Sequence, residues 1–254
     1  MKIVIFGSGL IGSQVAAKLN DAGHDVKALG RADGIDITTG TGIAEAVEGA
    51  DVVVDLTNSP SWSDEDVLAF FRDGTGHILA AEEKAGVGHH VILSIVGADR
   101  LPDSGYMRAK VAQEDLVKAG PIPYTIVRST QFFEFVAGIA DAGTTDSGTT
   151  DGAVHATPGH LQPIASRDVV SHVAEVVTAA PQNGTVEIAG PEPLGIDELV
   201  RRLFLVTGDK RSVISDPEAG YFGAKLDNSA LTPTPGADAW IAPTTYDAWL
   251  AEKA

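Results

Sequence analysis

The chain has 254 residues and no cysteine, and its 35 acidic side chains outnumber 18 basic ones to give a formal net charge of −17. Without cysteine the protein can form no disulfide, no thiolate nucleophile and no cysteine-ligated zinc site. The negative charge repels nucleic acid and anionic lipid, so we expect neither a nucleic-acid partner nor a membrane partner. The length suits one large α/β domain, with or without a small appendage.

The chain begins with KIVIF, a short β-branched run typical of a strand that is buried on both faces of a parallel sheet. The apolar stretch from Met1 is interrupted at Gly7, which makes it too short for a signal-peptide core or a membrane span. We therefore expect a cytoplasmic protein.

A glycine-rich turn follows directly and consists of Gly7, Ser8, Gly9, Leu10, Ile11 and Gly12, a G-x-G-x-x-G pattern. A segment with helical spacing comes next, and DVKALGR is a predicted second strand. This order predicts a dinucleotide-binding unit, in which the first two glycines admit the pyrophosphate and the third lets helix pack on strand. The helix N-terminus favours phosphate, so we predict that all six residues of the turn bind the cofactor.

Two residues beyond the second strand favour different cofactors. Arg31 follows the strand directly and would bind the 2′-phosphate of NADP, whereas Asp33 would bind the ribose 2′-hydroxyl of NAD. Asp33 and Gly34 together are also typical of a turn. The sequence therefore favours NADP, with NAD as the alternative, and Asp36 in the loop beyond is a further predicted cofactor-binding residue.

Strands and helices continue to alternate. A short helix at IAEAVEG precedes a strand in GADVVVDLT (49–57), and a long helix is predicted over Asp64 to Ala85. HHVILSIV (89–96) and PYTIVRS (123–129) are predicted strands on either side of a helix within SGYMRAKVAQEDLVKAG. This order predicts an α/β fold with a doubly wound, mostly parallel sheet of the Rossmann type.

Ligands of such sheets lie beyond the carboxyl ends of the strands. The residues predicted at those ends are Thr57, Asn58, Ser94, Ile95, Val96, Ser129, Thr130 and Gln131. We predict that Thr57 and Asn58 contact the cofactor.

The remaining chain differs in character. DAGTTDSGTTDGA (141–153) is polar and glycine-rich, so it is predicted to be an exposed mobile loop that either covers a substrate or simply connects two elements. Two predicted helices, SRDVVSHVAEVVTAA and IDELVRRLFLVTG, flank the short strand TVEIAG, and TTYDAWLAEKA closes the sequence. We predict a Rossmann domain over residues 1–140 and, within 141–254, a small C-terminal α/β cap packed on the same domain.

Tyr106 and Lys110 share one face of the predicted helix in SGYMRAK, and Ser94 ends the preceding strand. That topology brings a strand-end hydroxyl near Tyr106. An ammonium group beside a phenol favours the phenolate, so we expect Lys110 to lower the pKa of Tyr106. Tyr106 would then donate or accept a proton.

These motifs resemble those of the short-chain dehydrogenase/reductase superfamily, with Ser94, Tyr106 and Lys110 at the positions of its serine and its Tyr-x-x-x-Lys. More narrowly, LSIVGADRLPDSGYMRAK and PYTIVRSTQFFEF resemble the atypical NmrA-like branch, whose members include NAD(P)H-dependent reductases and redox-sensing regulators. The resemblance implies that Tyr106 protonates a carbonyl oxygen as hydride arrives. It also implies that Lys110 binds the nicotinamide ribose and tunes Tyr106, and that Ser94 holds the same oxygen.

The chain departs from that family in the motif that commonly follows the family's fourth strand. Residues 56–60, LTNSP, replace the frequent Asn-Asn-Ala-Gly, and we find no counterpart of the asparagine that often completes a proton relay. The form of any relay is therefore left open.

Three functions remain. An NAD(P)H-dependent oxidoreductase that reduces a small carbonyl, quinone or enone-like substrate is favoured, and an NADP(H)-sensing regulator or a nucleotide-sugar epimerase or dehydratase is the alternative. We expect a small-molecule partner and a monomer or homodimer. Adjacent residues of a strand point to opposite faces, so His89 and His90 predict no shared metal site. Phe132, Phe133 and Phe135 either line a substrate pocket or pack in the core.

Overall fold

The computed structural model describes residues 1–145, 152–222 and 224–253. Its strands are β1 (Lys2–Phe6), β2 (Asp25–Leu29), β3 (Val52–Asp55), β4 (His89–Ile95), β5 (Tyr124–Ser129), β6 (Val154–Ala156), β7 (His160–Leu161), β8 (Gly184–Ala189), β9 (Leu194–Gly195), β10 (Val213–Ser215) and β11 (Trp240–Ile241). Its helices are α1 (Gly12–Asp21), α2 (Ile43–Val47), α3 (Asp64–Ala85), α4 (Gly105–Ala119), α5 (Val136–Thr145), α6 (Ser166–Thr178), α7 (Ile196–Thr207) and α8 (Tyr246–Ala251).

Seven strands form one sheet in the order β11-β8-β5-β4-β3-β1-β2. β1 pairs in parallel with both β2 and β3, and β3 pairs in parallel with β4. Parallel neighbours require a crossover connection, and α1 to α4 lie in the crossovers between β1 and β5. The predicted doubly wound sheet of the Rossmann type is confirmed.

The helix α3 has the predicted bounds because both of its ends carry strong signals. Ser63 caps its N-terminus by accepting a hydrogen bond from the Asp66 N–H at 3.3 Å. Gly86 ends it with a φ of +73°, a left-handed conformation that glycine adopts without strain. Between these ends, Phe71 and Ile78 are buried in a core cluster of the first unit described below.

The residues group into two compact units. The first comprises Met1–Arg128 and Val169–Val186, and the second comprises Ser129–Asp168 and Glu187–Ala254. The second unit contains the parallel pair β6 and β10 and the antiparallel pair β7 and β9, together with α5, α7 and α8. The predicted division at residue 140 stays a prediction.

The predicted loop over residues 141–153 was wrong for its first part, because α5 continues to Thr145. Val136, Ile139 and Ala140 are buried, and their spacing forms an apolar stripe along one side of the helix. This stripe lies ahead of the polar segment that begins at residue 141. The helix that it stabilises therefore continues into residues whose composition is typical of a loop. Residues 146–151 lie outside the described residues.

Of the three phenylalanines considered for a substrate pocket, Phe133 is buried against Tyr246 and Trp249 within the second unit. Phe135 is exposed and stacks on the buried Phe132 at a ring distance of 5.2 Å. Core packing therefore accounts for Phe133. None of the helices in the described ranges is long and apolar enough to cross a bilayer.

Candidate active site

The glycine turn joins β1 to α1, and its three glycines have different surroundings. Gly7 has a φ of +103°, and a side chain there would lie 2.6 Å from the Leu56 carbonyl oxygen. A side chain on Gly12 would lie 1.8 Å from the Gly7 carbonyl oxygen. By contrast, a side chain on Gly9 would meet no atom of the described residues within 4 Å beyond its chain neighbours. Gly9 thus borders open space at the N-terminus of α1, which fits a pyrophosphate cradle.

The other residues of the turn divide by exposure. Ser8 and Leu10 are exposed, whereas Ile11 is buried and directs its side chain into the core. A contact between Ile11 and a cofactor would therefore involve its backbone.

The end of β2 lies beside this turn, since the Gly7 N–H donates to the Leu29 carbonyl at 2.8 Å. Arg31 begins a short 3-10 turn directly beyond β2, and its side chain is exposed. Asp33 accepts a hydrogen bond from the Gly30 N–H at 2.9 Å, and Gly34 has a φ of +81°. The Asp33 carboxylate is thus part of the local turn, as the Asp-Gly pair indicates.

Asp36 lies in the loop before α2 and is half-buried. Its carboxylate accepts hydrogen bonds from the Thr38 hydroxyl at 2.6 Å and the Thr38 N–H at 2.9 Å. These bonds, led by the hydroxyl, hold the pKa of Asp36 below its usual range.

Tyr106 lies in the first turn of α4, which Ser104 caps. Its hydroxyl donates to Asn58 Oδ1 at 2.8 Å, and the same oxygen accepts the Ser59 N–H at 2.9 Å. Its ring packs edge-on against Phe71, at 5.8 Å between centroids. Burial raises the pKa of Tyr106 to about 12, so the expected lowering is wrong and the phenol is protonated at neutral pH.

Lys110 is buried one turn further along α4. Its Nζ donates to the Leu93 carbonyl at 2.9 Å and to Gln113 Oε1, and it lies 4.3 Å from the centroid of the Phe71 ring. Burial lowers the pKa of Lys110 to about 8, against the opposing charges of Asp55 and Glu114. The ammonium form therefore predominates at neutral pH even though the group is out of water.

The partner of Lys110 is itself anchored. Gln113 Nε2 donates to Asp55 Oδ2 at 2.9 Å, so one amide bridges the lysine to a buried carboxylate. Asp55 Oδ1 accepts the Thr57 hydroxyl at 2.6 Å and the Thr57 N–H at 2.9 Å. The hydroxyl of Thr57, predicted to contact the cofactor, thus stabilises the end of β3.

Ser94 has a different partner from Tyr106. Its buried hydroxyl donates to Glu114 Oε1 at 2.7 Å, and Arg128 donates to both oxygens of Glu114 at 2.8 Å. Although burial opposes them, the hydrogen bonds from Arg128 and Ser94 keep the pKa of Glu114 below its usual range. The Ser94 hydroxyl would have to turn away from Glu114 before it could hold a substrate oxygen together with Tyr106.

Sequence reasoning missed the residues that surround the pair. Gln113 lies three residues beyond Lys110, a spacing that places both on one helix face and could have been noticed. Asp55 is the last residue of β3. Thr57 and Asn58 were predicted as ligand-binding residues because of their position at this strand end, and the same reasoning could have included Asp55. Trp62, whose ring centroid lies 5.6 Å from that of Tyr106, belongs to an irregular segment without periodicity, and no sequence signal indicated it.

The two histidines at the start of β4 have separate partners. His89 Nε2 lies 2.9 Å from the Thr125 hydroxyl, and His90 Nδ1 lies 2.7 Å from a carboxylate oxygen of Glu82. Among the described residues no three histidine or acidic side chains are grouped so that they could hold a metal ion. Of the remaining strand-end candidates, Ser129, Thr130 and Gln131 are buried and belong to the second unit.

Comparison with known proteins identifies relatives of this fold. The model of a family described as NAD(P)H-binding matches residues 7–180, more than half of the chain. The photosystem II assembly factor Ycf39 of Synechocystis is 24% identical over 150 residues, which cover 54% of this chain and 46% of that protein. The chain thus matches about half the length of this curated relative.

Solved structures with this fold cover all or nearly all of the chain. A short-chain dehydrogenase/reductase superfamily protein from Agrobacterium tumefaciens with bound NAD is 20% identical, with a TM-score of 0.75 over 100% of this chain and 96% of that one. UDP-glucose 4-epimerase from Thermotoga maritima is 18% identical, with a TM-score of 0.74 over 100% and 97%. dTDP-4-dehydrorhamnose reductase from Bacillus anthracis in complex with NADP is 17% identical, with a TM-score of 0.69 over 96% and 90%.

The family match includes the glycine turn and the helix that carries Tyr106 and Lys110. The open space at Gly9 and the helix N-terminus behind it suit the phosphates of such a cofactor. The chain therefore belongs to this NAD(P)H-binding family.

Proposed function

We propose that this protein is an NAD(P)H-dependent oxidoreductase that reduces a small carbonyl, quinone or enone-like substrate. The observation that carries the proposal is the state of Tyr106. Its phenol is protonated at neutral pH and is held by Asn58 just beyond the carboxyl end of β3. A proton donor for a reduction needs that protonation state at that edge of the sheet.

The glycine turn lies at the same edge. β1 and β3 are parallel neighbours, so their carboxyl ends lie together. The close approach of Gly7 to Leu56 brings the turn beside the segment that leads to Asn58. A cofactor bound to the turn would thus lie at the same edge of the sheet as the Tyr106 hydroxyl.

The residues that would hold the cofactor follow from this arrangement. The turn from Gly7 to Gly12 would hold the pyrophosphate, and Arg31 would pair with the 2′-phosphate of NADP, with NAD as the alternative. Thr57, Asn58 and Asp36 are proposed to complete the site. The bound cofactor would supply the hydride.

The chain's own residues would handle the proton. Tyr106 gives its proton to the substrate oxygen, so that hydride and proton together convert a carbonyl into an alcohol. Lys110, charged and shielded from water, stabilises the phenolate that remains, and Gln113 keeps the lysine in place. Ser94 is proposed to hold the substrate oxygen after its hydroxyl turns from Glu114.

The experiment compares Tyr106→Phe with wild type in NADPH consumption on a panel of carbonyl and quinone substrates. We expect kcat to fall about 10²–10⁴-fold, the contribution of a positioned general acid. Folding and NADPH affinity should stay close to wild type, since the change removes one hydroxyl and almost no volume. Tyr124→Phe, in β5, is the matched control and should keep its activity.

Two other outcomes would contradict the proposed role of Tyr106 or the proposed enzyme activity. Retention of wild-type kcat by Tyr106→Phe would show that the proton comes from another source. NADPH binding without turnover on any substrate would favour the second candidate, a cofactor-binding regulatory protein. One relative is named an assembly factor, which gives that candidate its support.

A further inference from the structure

Trp62 is unusually exposed for its type. It lies between β3 and α3, and 67% of its surface is accessible. Tryptophan is highly buried on average, so a large exposed aromatic side chain beside a candidate proton donor is an informative exception. Its ring lies 5.6 Å from the Tyr106 ring, with 35° between the two planes. The exposed indole thus adjoins the edge where Tyr106 binds Asn58.

The segment that carries Trp62 is braced on both sides. Ahead of it, the Ser61 N–H donates to the Ser59 hydroxyl at 3.2 Å, and the Ser61 hydroxyl donates to Asp66 at 2.8 Å. Behind it, the Ser63 N–H donates to the Ser61 hydroxyl at 3.2 Å, and Ser63 caps α3. These bonds hold the backbone on either side of Trp62 in place.

The charges near Trp62 restrict what can lie on it. Asp64, Glu65 and Asp66 follow after Ser63 and are exposed. Arg108 donates to Asp64, which leaves an excess of negative charge in the first turn of α3. Carboxylates repel anions and do not repel uncharged groups, so an uncharged ligand suits this part of the surface better than an anionic one.

We infer that Trp62 is a substrate-binding residue whose indole stacks on an uncharged planar ring carried next to the reacting carbonyl. The inference rests on the proposed function, for which it names the substrate class: neutral aryl carbonyl compounds and quinones rather than anionic nucleotide sugars. Offset stacking of aromatic rings stabilises such a contact beyond the apolar area it buries. The ring would lie against the exposed indole while its carbonyl oxygen faces the Tyr106 hydroxyl.

The test uses three compounds with matched ketone chemistry. 1-Phenyl-1,2-propanedione carries a neutral ring, 2,3-butanedione lacks the ring, and phenylglyoxylate carries a ring next to a carboxylate. We would measure kcat and KM with NADPH, and in parallel binding to the protein with NADP⁺ and without cofactor by calorimetry, where no reduction occurs. The variants are Trp62→Ala, Trp62→Phe, and Leu205→Ala as a control that removes an exposed apolar side chain elsewhere.

For 1-phenyl-1,2-propanedione, Trp62→Ala should raise both KM and the dissociation constant about tenfold, since stacking and buried ring area are lost together. Its kcat should change little, Trp62→Phe should recover part of the affinity, and Leu205→Ala should match wild type. For 2,3-butanedione the variants should resemble wild type. Phenylglyoxylate should bind wild type more weakly than the neutral diketone does.

The outcomes separate the two ideas. Binding of the aryl diketone that depends on Trp62 but gives no turnover would refute the proposed function and leave the inference standing. Turnover that depends on Tyr106 with no effect of Trp62→Ala would overturn the inference alone. Equal losses on both diketones, or no binding of the aryl diketone by wild type, would also overturn it.

Discussion

Tyr106 and Lys110 belong to one motif, yet burial changes their pKa values in opposite directions. It raises the pKa of Tyr106 to about 12 and lowers that of Lys110 to about 8. Both changes have one cause, because a poorly solvated site disfavours phenolate and ammonium alike. The charge on Lys110 persists because the Asp55 and Glu114 charges oppose its desolvation. The pair thus begins as phenol and ammonium, a state suited to reduction.

Arg31 and Asp33 differ in whether their side chains are free to contact a cofactor. Arg31 is exposed at the end of β2 beside the glycine turn, whereas the Asp33 carboxylate is bonded to Gly30. Arg31→Ala should therefore weaken NADPH binding by about 1.5–3 kcal/mol, the value of a charge-assisted hydrogen bond, and leave NADH binding nearly unchanged. Fluorescence titration with each cofactor measures this, and Arg72→Ala, at an exposed arginine of α3, is the control. An equal loss for both cofactors would mean that Arg31 has no part in choosing between them.

At the scale of elements, the junction of β1 and α1 shows why one motif needs three glycines. Gly12 allows the helix to approach the strand, Gly7 allows the turn to pass the Leu56 carbonyl, and Gly9 leaves space open to ligand. Two of these glycines are therefore required by the fold. Packing does not require the third, Gly9, and we propose that the bound cofactor does.

That division predicts different outcomes for two substitutions. Gly9→Val should keep a thermal midpoint near that of wild type but lose measurable NADPH binding, because its side chain fills the space beside the turn. Gly12→Ala should lower the midpoint strongly, since its Cβ would overlap the Gly7 carbonyl. Gly76→Val, at another glycine with open space, controls for added bulk. If Gly9→Val bound NADPH with wild-type affinity, the pyrophosphate could not lie beside Gly9.

Another element-scale feature ties α4 to its neighbouring strands. Glu114 of α4 is buried and accepts hydrogen bonds from Ser94 of β4 and from Arg128 of β5. Moving Glu114 away from these partners would cost free energy, because a buried charge would be left unpaired. The network therefore holds the helix face that presents Tyr106 and Lys110.

For the molecule as a whole, buried titratable groups couple stability to pH. Burial, with the charge of His90, lowers the pKa of His89 from 6.5 to about 4. Between these values the unfolded chain binds a proton that the folded protein does not, so this contribution to stability is lost as pH falls from about 6.5 to 4. Its full size is about 3 kcal/mol. His89 is thus a source of acid sensitivity remote from the proposed chemistry.

His89→Gln tests this sensitivity, because an amide can still bond the Thr125 hydroxyl but binds no proton. Denaturant unfolding between pH 7 and 4 should show a free energy of unfolding that falls less steeply in the variant. The buried Glu82 and His90 pair is present in both proteins, so the difference between the two curves isolates His89. Parallel curves would assign the acid sensitivity to other groups.

Some features of this protein were determined by the sequence alone. The central strands, α1 and α3 were predicted because their signals are local: β-branched runs, helical spacing and, for α1, a glycine where the helix ends. The glycine turn and the Tyr106 and Lys110 pair were found because a motif fixes spacing along the chain. Family and fold class followed from these patterns and are confirmed.

Tertiary structure alone decided how these groups interact. The Asn58 partner of Tyr106 is 48 residues away, and the Asp55 partner of Gln113 is 58 residues away, distances over which no periodicity acts. The sequence indicated an ammonium beside a phenol and hence a lowered pKa, but the packing that desolvates Tyr106 outweighs that effect. The exposure of Trp62 could not be predicted either, because it also depends on how distant segments pack. Burial and pairing depend on which distant segments meet, and that is settled by the packed fold.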